Sequence, residues 1–289
     1  MKAWHVKLLR DNMKMAIPFQ DTVRRWKRSL APYQSNPKND DGLVRDGKTI
    51  VALLERLGIA VRGADVVEIG SGWVPALPLT LREAGARSIT TLDQERLMDA
   101  TTFRHALRLV AKASGKAPPA DSQARHEDLL ADSGIDYRAP ANFTDLPDGC
   151  ADIIVSRAVL EHVSEPDLRA IARHSMRILR PGGAICHLID MSDHWEHKDK
   201  TISRVNFLRY EQPFWRVTGI NPQNYQNRLR AFEYVALFRE AGFRGMTVEG
   251  EPDADALKAL KTLPLCARYR SVAHDELAVL TATIVARAP

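Results

Sequence analysis

Three observations predict an α/β fold. Short β-branched runs alternate with helix-period segments, a glycine turn follows the first run directly, and the second run ends in an acid. Together they imply a doubly wound, mostly parallel seven-stranded sheet with an antiparallel last strand. An N-terminal helical extension and an insertion after strand five complete the expected architecture.

In chain order, Trp4, Leu8, Met15, Phe19, Val23 and Trp26 recur at near-helical spacing, interrupted by Pro18 and ended by Pro32. This predicts a helical extension over 1–45 laid against a main domain at 46–289. The polar stretch Asn36 to Gly42 is expected to be a loop, followed by a helix that carries Ile50, Leu53, Leu54 and Leu57 and closes at Gly58. Strands follow at 64–69 and 88–93, separated by a helix over 76–84, which makes a right-handed parallel unit. The connection from Asp93 to a third strand at 134–138 is longer than one crossover helix needs. It holds a helix through Phe103, Leu107 and Val110 and a Gly/Pro-bearing loop at 114–119. The continuous apolar run 152–156 is a buried strand, and a helix over 166–179 stops at Arg180-Pro181-Gly182-Gly183 before a strand at 184–190. Weak periodicity over 191–230 marks a substrate-facing insertion. A helix at 231–241 and strands at 246–249 and 277–286 complete the chain, the last placed antiparallel at the sheet edge.

The 289 residues are 45% hydrophobic and 27% charged, which fits a globular protein and excludes disordered and fibrous classes. The net charge of +5 is concentrated before residue 30, where Lys2, Lys7, Arg10, Lys14, Arg24, Arg25, Lys27 and Arg28 face Asp11 and Asp21. Such a segment reads as a solvated amphipathic face, with peripheral contact to an anionic membrane as the alternative; no nucleic-acid partner is expected. Cys150, Cys186 and Cys266 are widely spaced and odd in number, so a reduced, cytoplasmic setting is expected. No stretch approaches the roughly 18 apolar residues of a spanning helix, and no secretory leader is visible.

Glu68-Ile69-Gly70-Ser71-Gly72 is the most informative local pattern. A strand ending in Gly-x-Gly and feeding a helix lets backbone approach a ligand and present free helix N–H groups to it. The third glycine of the dinucleotide fingerprint is absent from Gly70-Ser71-Gly72-Trp73-Val74-Pro75, which argues against a pyrophosphate. Asp93, at the end of the second strand, stands where a carboxylate can accept from both hydroxyls of a ribose.

The acidic-x-Gly-x-Gly turn, Leu146-Pro147-Asp148-Gly149-Cys150-Ala151-Asp152-Ile153-Ile154-Val155-Ser156, Val159-Leu160-Glu161-His162-Val163 and Leu179-Arg180-Pro181-Gly182-Gly183 occur in that order. Over about residues 65–190 the chain resembles class I S-adenosylmethionine-dependent methyltransferases of the type 11 group, with their Rossmann-like sheet. The resemblance implies S-adenosylmethionine as cofactor. It places Gly70, Ser71 and Gly72 beside the methionine moiety, Glu68 at its amino-acid end and Asp93 on the ribose. Asn142, where many relatives carry an acid, falls beside the adenine, and Ser156 borders the donor methyl. His162 is a candidate base or a cofactor shelf.

After the fifth strand, Asp190-Met191-Ser192-Asp193-His194-Trp195-Glu196-His197 lies at the carboxyl ends of the strands, making Asp190 and His194 further candidates for base or acceptor contact. Its Asp and His residues would suit a divalent cation, but without a fixed ligand spacing a metal-free polar loop is the reading adopted. Phe207, Tyr210, Trp215 and Tyr225 with Arg204, Arg209, Arg216, Arg228 and Arg230 suit a polyhydroxylated or anionic acceptor, or a lid. Resemblance of Ile189-Asp190-x-x-Asp193-His194 and of Tyr225 to Arg230 to bacterial enzymes implies methyl transfer to a small molecule or glycan, at oxygen. A catalytically silent cofactor-binding subunit and a nicotinamide oxidoreductase are the alternatives.

Overall fold

The computed structural model of the protein describes residues 3–14, 37–117 and 123–289. Over these residues the helices are α1 (Ala3–Lys14), α2 (Pro37–Arg56), α3 (Ala76–Glu83), α4 (Ala100–Ala113), α5 (His126–Ser133), α6 (Glu165–Ile178), α7 (Gln212–Thr218), α8 (Ala231–Glu240), α9 (Ala254–Leu260) and α10 (His274–Ala278). The strands are β1 (Asp65–Ile69), β2 (Ser88–Leu92), β3 (Ile135–Arg138), β4 (Ala151–Arg157), β5 (Leu179–Asp190), β6 (Arg244–Glu249) and β7 (Thr281–Arg287).

All seven strands form one sheet in the order β3-β2-β1-β4-β5-β7-β6. Neighbours from β3 to β5 run parallel, and β7 is antiparallel to both β5 and β6. The antiparallel last strand is therefore as expected, but it is not at the edge. Its core run Ala282 to Ala286 is buried throughout, whereas β6 is open to solvent, so β6 takes the edge.

Period-two alternation in β1 and β4 divides the core into two layers. Val66 and Ile153 face α2, α3 and α4 through Ile50, Leu54, Leu81 and Phe103. Val67 and Ile154 face α6 and α8 through Leu168, Ala172, Leu237 and Phe238. Helix starts follow the local chemistry: the Asp99 side chain and Thr102 form a reciprocal capping box on α4, and the Ser164 hydroxyl caps α6.

A third apolar cluster joins Trp4 and Leu8 of α1 to Trp195, Phe207 and Trp215 of the 191–230 segment and to Leu260 and Tyr269 near the C-terminus. The N-terminal helix thus docks on the insertion rather than on the sheet, tied by Trp4 N to Asp199 at 3.3 Å and by Asn12 to the Val217 carbonyl at 2.9 Å. Met15, Phe19, Val23 and Trp26, expected on the same helical face, lie outside the described residues. The loop expected before α2 is helical from Pro37, because proline at a helix start adds no unsatisfied N–H and presets φ.

Candidate active site

The carboxyl ends of β1, β2 and β4 open into a cavity of about 1010 Å³, closed on one side by the start of α2. Its floor is the turn after β1. Gly70 N and Ser71 N donate to the Leu92 carbonyl at 2.8 and 3.3 Å, pinning the turn to the end of β2. Gly70 has φ +80°, and a Cβ there would stand 2.4 Å from a Val159 methyl, so both the conformation and the packing require glycine. Gly72 has φ +60° with open space where its Cβ would lie.

Asp93 is the junction of the site. One carboxylate oxygen accepts from Gly72 N at 2.9 Å and the other from Glu95 N at 3.1 Å, while its carbonyl accepts from Ala141 N at 2.9 Å. Glu68, 3% exposed, accepts from the Thr91 hydroxyl. Burial overcomes that bond and, with the negative charge of Asp93, pushes its carboxyl up to about 8. The Ser71 hydroxyl is buried in the turn without a hydrogen-bond partner. Asn142 and Phe143 form the wall opposite, on the turn after β3.

Ser156 departs from expectation. Its hydroxyl is fully buried and pairs with His187 Nδ1 at 2.8 Å, away from the cavity. Alternation along β4 carries the next side chain, Arg157, to the cavity instead, where it forms an ion pair with Asp46 of α2 at 2.7 Å. Sequence reasoning passed over this bridge, since nothing local links positions so far apart.

The three candidate catalytic residues converge at one rim. His162 lines the cavity and its Nδ1 donates to the Tyr225 carbonyl at 2.9 Å. Its ring lies 5.0 Å from that of His194, whose Nε2 is 3.4 Å from the Asp190 carboxylate. Desolvation lowers the His162 pKa. Burial works the same way on His194, but Asp190 outweighs it and raises the imidazole. Burial likewise opposes ionisation of Asp190, yet the nearby His194 and the bonds from Ser192 bring it down to about 2. Glu161, 1% exposed, stands behind them, one oxygen 3.4 Å from Asp190 N and the other without a partner. Its place beside His162 in the Leu160-Glu161-His162-Val163 motif was the available signal.

Several other residues of the 191–230 segment are structural. Asp193 is 1% exposed and caps its own turn by accepting from Trp195 N at 2.9 Å. Phe207 and Trp215 are buried in the third cluster. Arg228, at φ +67°, donates to the Phe207 and Tyr210 carbonyls at 3.0 and 2.5 Å and lies over the Trp215 ring. Arg230 is fully buried and donates to the carbonyls of Met191, Leu277 and Val279. Long side chains that read as surface guanidiniums act here as internal struts.

Residues 44–248 match the family described as methyltransferase domain. The curated proteins include no match. Among solved structures, magnesium protoporphyrin IX methyltransferase from Synechocystis PCC 6803, with bound SAH, is 14% identical over 96% of this chain and 100% of that one, with a TM-score of 0.50. A candidate sarcosine dimethylglycine methyltransferase from Galdieria sulphuraria is 16% identical over 84% of this chain and 85% of its own, with a TM-score of 0.51. At these identities the likeness is one of fold. The motif order, the sheet topology and the family match over most of its length establish that the chain belongs to the methyltransferase domain family, as a class I enzyme that uses S-adenosylmethionine.

Proposed function

We propose that the protein transfers the methyl group of S-adenosylmethionine to an oxygen of a small-molecule or glycan acceptor presented at the rim formed by His162, Asp190 and His194. The observation that carries this reading is the convergence of these three groups, with Glu161, beside the mouth of the cavity. An oxygen acceptor must lose a proton as it attacks, and such a cluster supplies acceptors for it.

The cavity fits the donor. The open space above Gly72, the unpartnered Ser71 hydroxyl and the Asp93 carboxylate line the cavity together with Glu68 and Asn142. On this reading Gly70, Ser71 and Gly72 hold the amino-acid portion with Glu68, Asp93 receives the ribose hydroxyls and Asn142 meets the base. When bound, the donor supplies an electrophilic sulfonium methyl. The chain's own work is then to hold the acceptor in line and exclude water. The Arg157–Asp46 bridge closes the cavity on the α2 side, and the rim cluster takes the acceptor's proton. Ser156 contributes as support for β4 through His187 rather than by touching the donor.

We divide the chain into an extension at 1–45 and a methyltransferase domain at 46–289, with 191–230 as the acceptor-side cap. No helix among the described residues is long and apolar enough to cross a membrane. A cytoplasmic enzyme acting on soluble acceptors accords with the three unpaired cysteines.

The test is transfer of labelled methyl to panels of hydroxylated metabolites and glycans, compared with amines and thiols. Hydroxyl acceptors should turn over, and Asp190→Asn should lower kcat by about 10²-fold or more with binding of S-adenosylhomocysteine retained. Transfer only to amines or thiols overturns the oxygen assignment. Tight cofactor binding with no transfer to any panel supports a silent subunit instead.

A further inference from the structure

The rim cluster contains an arrangement that proton transfer alone does not require. Glu161 is 1% exposed, and its Oε2 has no hydrogen-bond partner. A buried carboxylate oxygen left in this way costs several kcal/mol unless a proton or a cation meets it. Glu161, His162 and His194 each offer one ligand atom, and the three atoms lie within 4.8 Å of one another.

Both imidazoles are prepared as ligands. A carbonyl can only accept, so the 2.9 Å bond to Tyr225 places the His162 proton on Nδ1 and leaves the Nε2 lone pair free in the neutral ring. Fixing a histidine tautomer through a backbone carbonyl is the usual support of a metal-bound imidazole. His194 has a carboxylate beside it, with Asp190 3.4 Å from its Nε2, and that nitrogen makes no hydrogen bond and is free to ligate. Asp190 is itself held by the Ser192 amide at 2.9 Å.

We propose that Glu161, His162 and His194 bind one divalent cation of borderline hardness, such as Zn²⁺, with coordination positions left open toward the cavity. Two imidazoles and one carboxylate select Zn²⁺, Fe²⁺ or Co²⁺ over Mg²⁺ or Ca²⁺, which favour sets composed of oxygen ligands. Ligand distances of about 2.0–2.2 Å separate tetrahedral donor atoms by about 3.4 Å, so the three side chains close on the ion by roughly an ångström. Lys198 faces the neighbouring Trp195 ring and His197 stacks on His194 at 5.5 Å, so neither side chain hydrogen-bonds the free Glu161 oxygen. Metal occupancy stands independently of methyl transfer. Its consequence, polarisation of an acceptor hydroxyl whose proton passes to Asp190 as its oxygen attacks, rests on the proposed function.

The experiment uses the full chain freed of metal by a chelator and then titrated with Co²⁺. A saturable visible d–d spectrum at one ion per chain, displaced by Zn²⁺, is expected. Glu161→Gln and His194→Gln should each weaken Co²⁺ binding at least tenfold, with S-adenosylhomocysteine binding as the check that both variants are folded. No saturable spectrum, or an unchanged affinity in both folded variants, overturns the proposal. Cofactor binding without Co²⁺ binding removes the metal site and keeps the methyl-transfer reading. Co²⁺ binding without cofactor binding does the reverse.

Discussion

Replacing Gly70 by alanine tests the geometry of the cofactor turn. Two separate costs are readable. The backbone stands at φ +80°, where a Cβ costs about 1–2 kcal/mol. The added methyl would also lie 2.4 and 3.2 Å from the two Val159 methyls, well inside ordinary contact, and such overpacking costs about 1–3 kcal/mol. Gly70→Ala should therefore lose about 2–5 kcal/mol in urea unfolding. Truncating the neighbour by Val159→Ala removes the second cost and keeps the first. In that background Gly70→Ala should lose only about 1–2 kcal/mol, a coupling of about 1–3 kcal/mol across the double-mutant cycle. Gly72→Ala is the internal standard: φ is +60° but nothing lies within 4 Å, so only the backbone cost of about 1–2 kcal/mol applies. Equal losses for the two glycines, or additivity with Val159→Ala, would refute the reasoning.

Three further outcomes follow from named contacts. Asp65 accepts from Arg87 at 2.8 Å, Ser88 at 2.7 Å and Arg180 at 2.9 Å, and the Arg87 bond leads in holding its carboxyl well below the ordinary 3.8. A depressed folded-state pKa gives stability that is present above the unfolded value and lost as pH falls through the folded one. Asp65→Asn should thus cost about 1–3 kcal/mol at pH 7, less in high salt, with the gap to the parent closing below pH 4 in acid unfolding series. Glu68, pushed up to about 8, is mostly protonated at pH 7. A cationic donor near it favours the ionised form, so binding of S-adenosylmethionine should release protons at pH 7, up to about one per site. Calorimetry in buffers of different ionisation heat reads this, and Glu68→Gln should abolish the buffer dependence. Arg230→Met should cost on the order of 3–5 kcal/mol in thermal unfolding, because the carbonyls of Met191, Leu277 and Val279 lose their donor. A loss under 1 kcal/mol would contradict its role as an internal strut.

What could be read in the sequence was local. The strands β1, β2, β4 and β5 announce themselves as apolar runs, and Glu68, Gly70, Gly72 and Asp93 sit at strand ends where topology brings them together. Features that depend on distant partners were hidden. Ser156 and Arg157 are adjacent on β4, and the pleat alone decides which faces His187 and which faces the cavity. Arg228 and Arg230 resemble surface cations until Phe207, Tyr210, Met191 and Leu277 fold over them. The short helices α9 and α10 have too few turns to show a period, and their signal merged with the approach to β7. The place of β7 between β5 and β6 required weighing its burial against that of β6, which neither segment shows alone.

The central claim is that the cavity at the ends of β1, β2 and β4 holds the methyl donor. Calorimetric titration with S-adenosylmethionine, S-adenosylhomocysteine and NADH tests it most directly, with Asp93→Ala and Gly70→Arg alongside the parent. One-to-one binding of both adenosyl ligands is predicted, weakened at least tenfold by Asp93→Ala, abolished by Gly70→Arg and absent for NADH. Binding of NADH alone, or adenosyl binding unchanged in both variants, would contradict it.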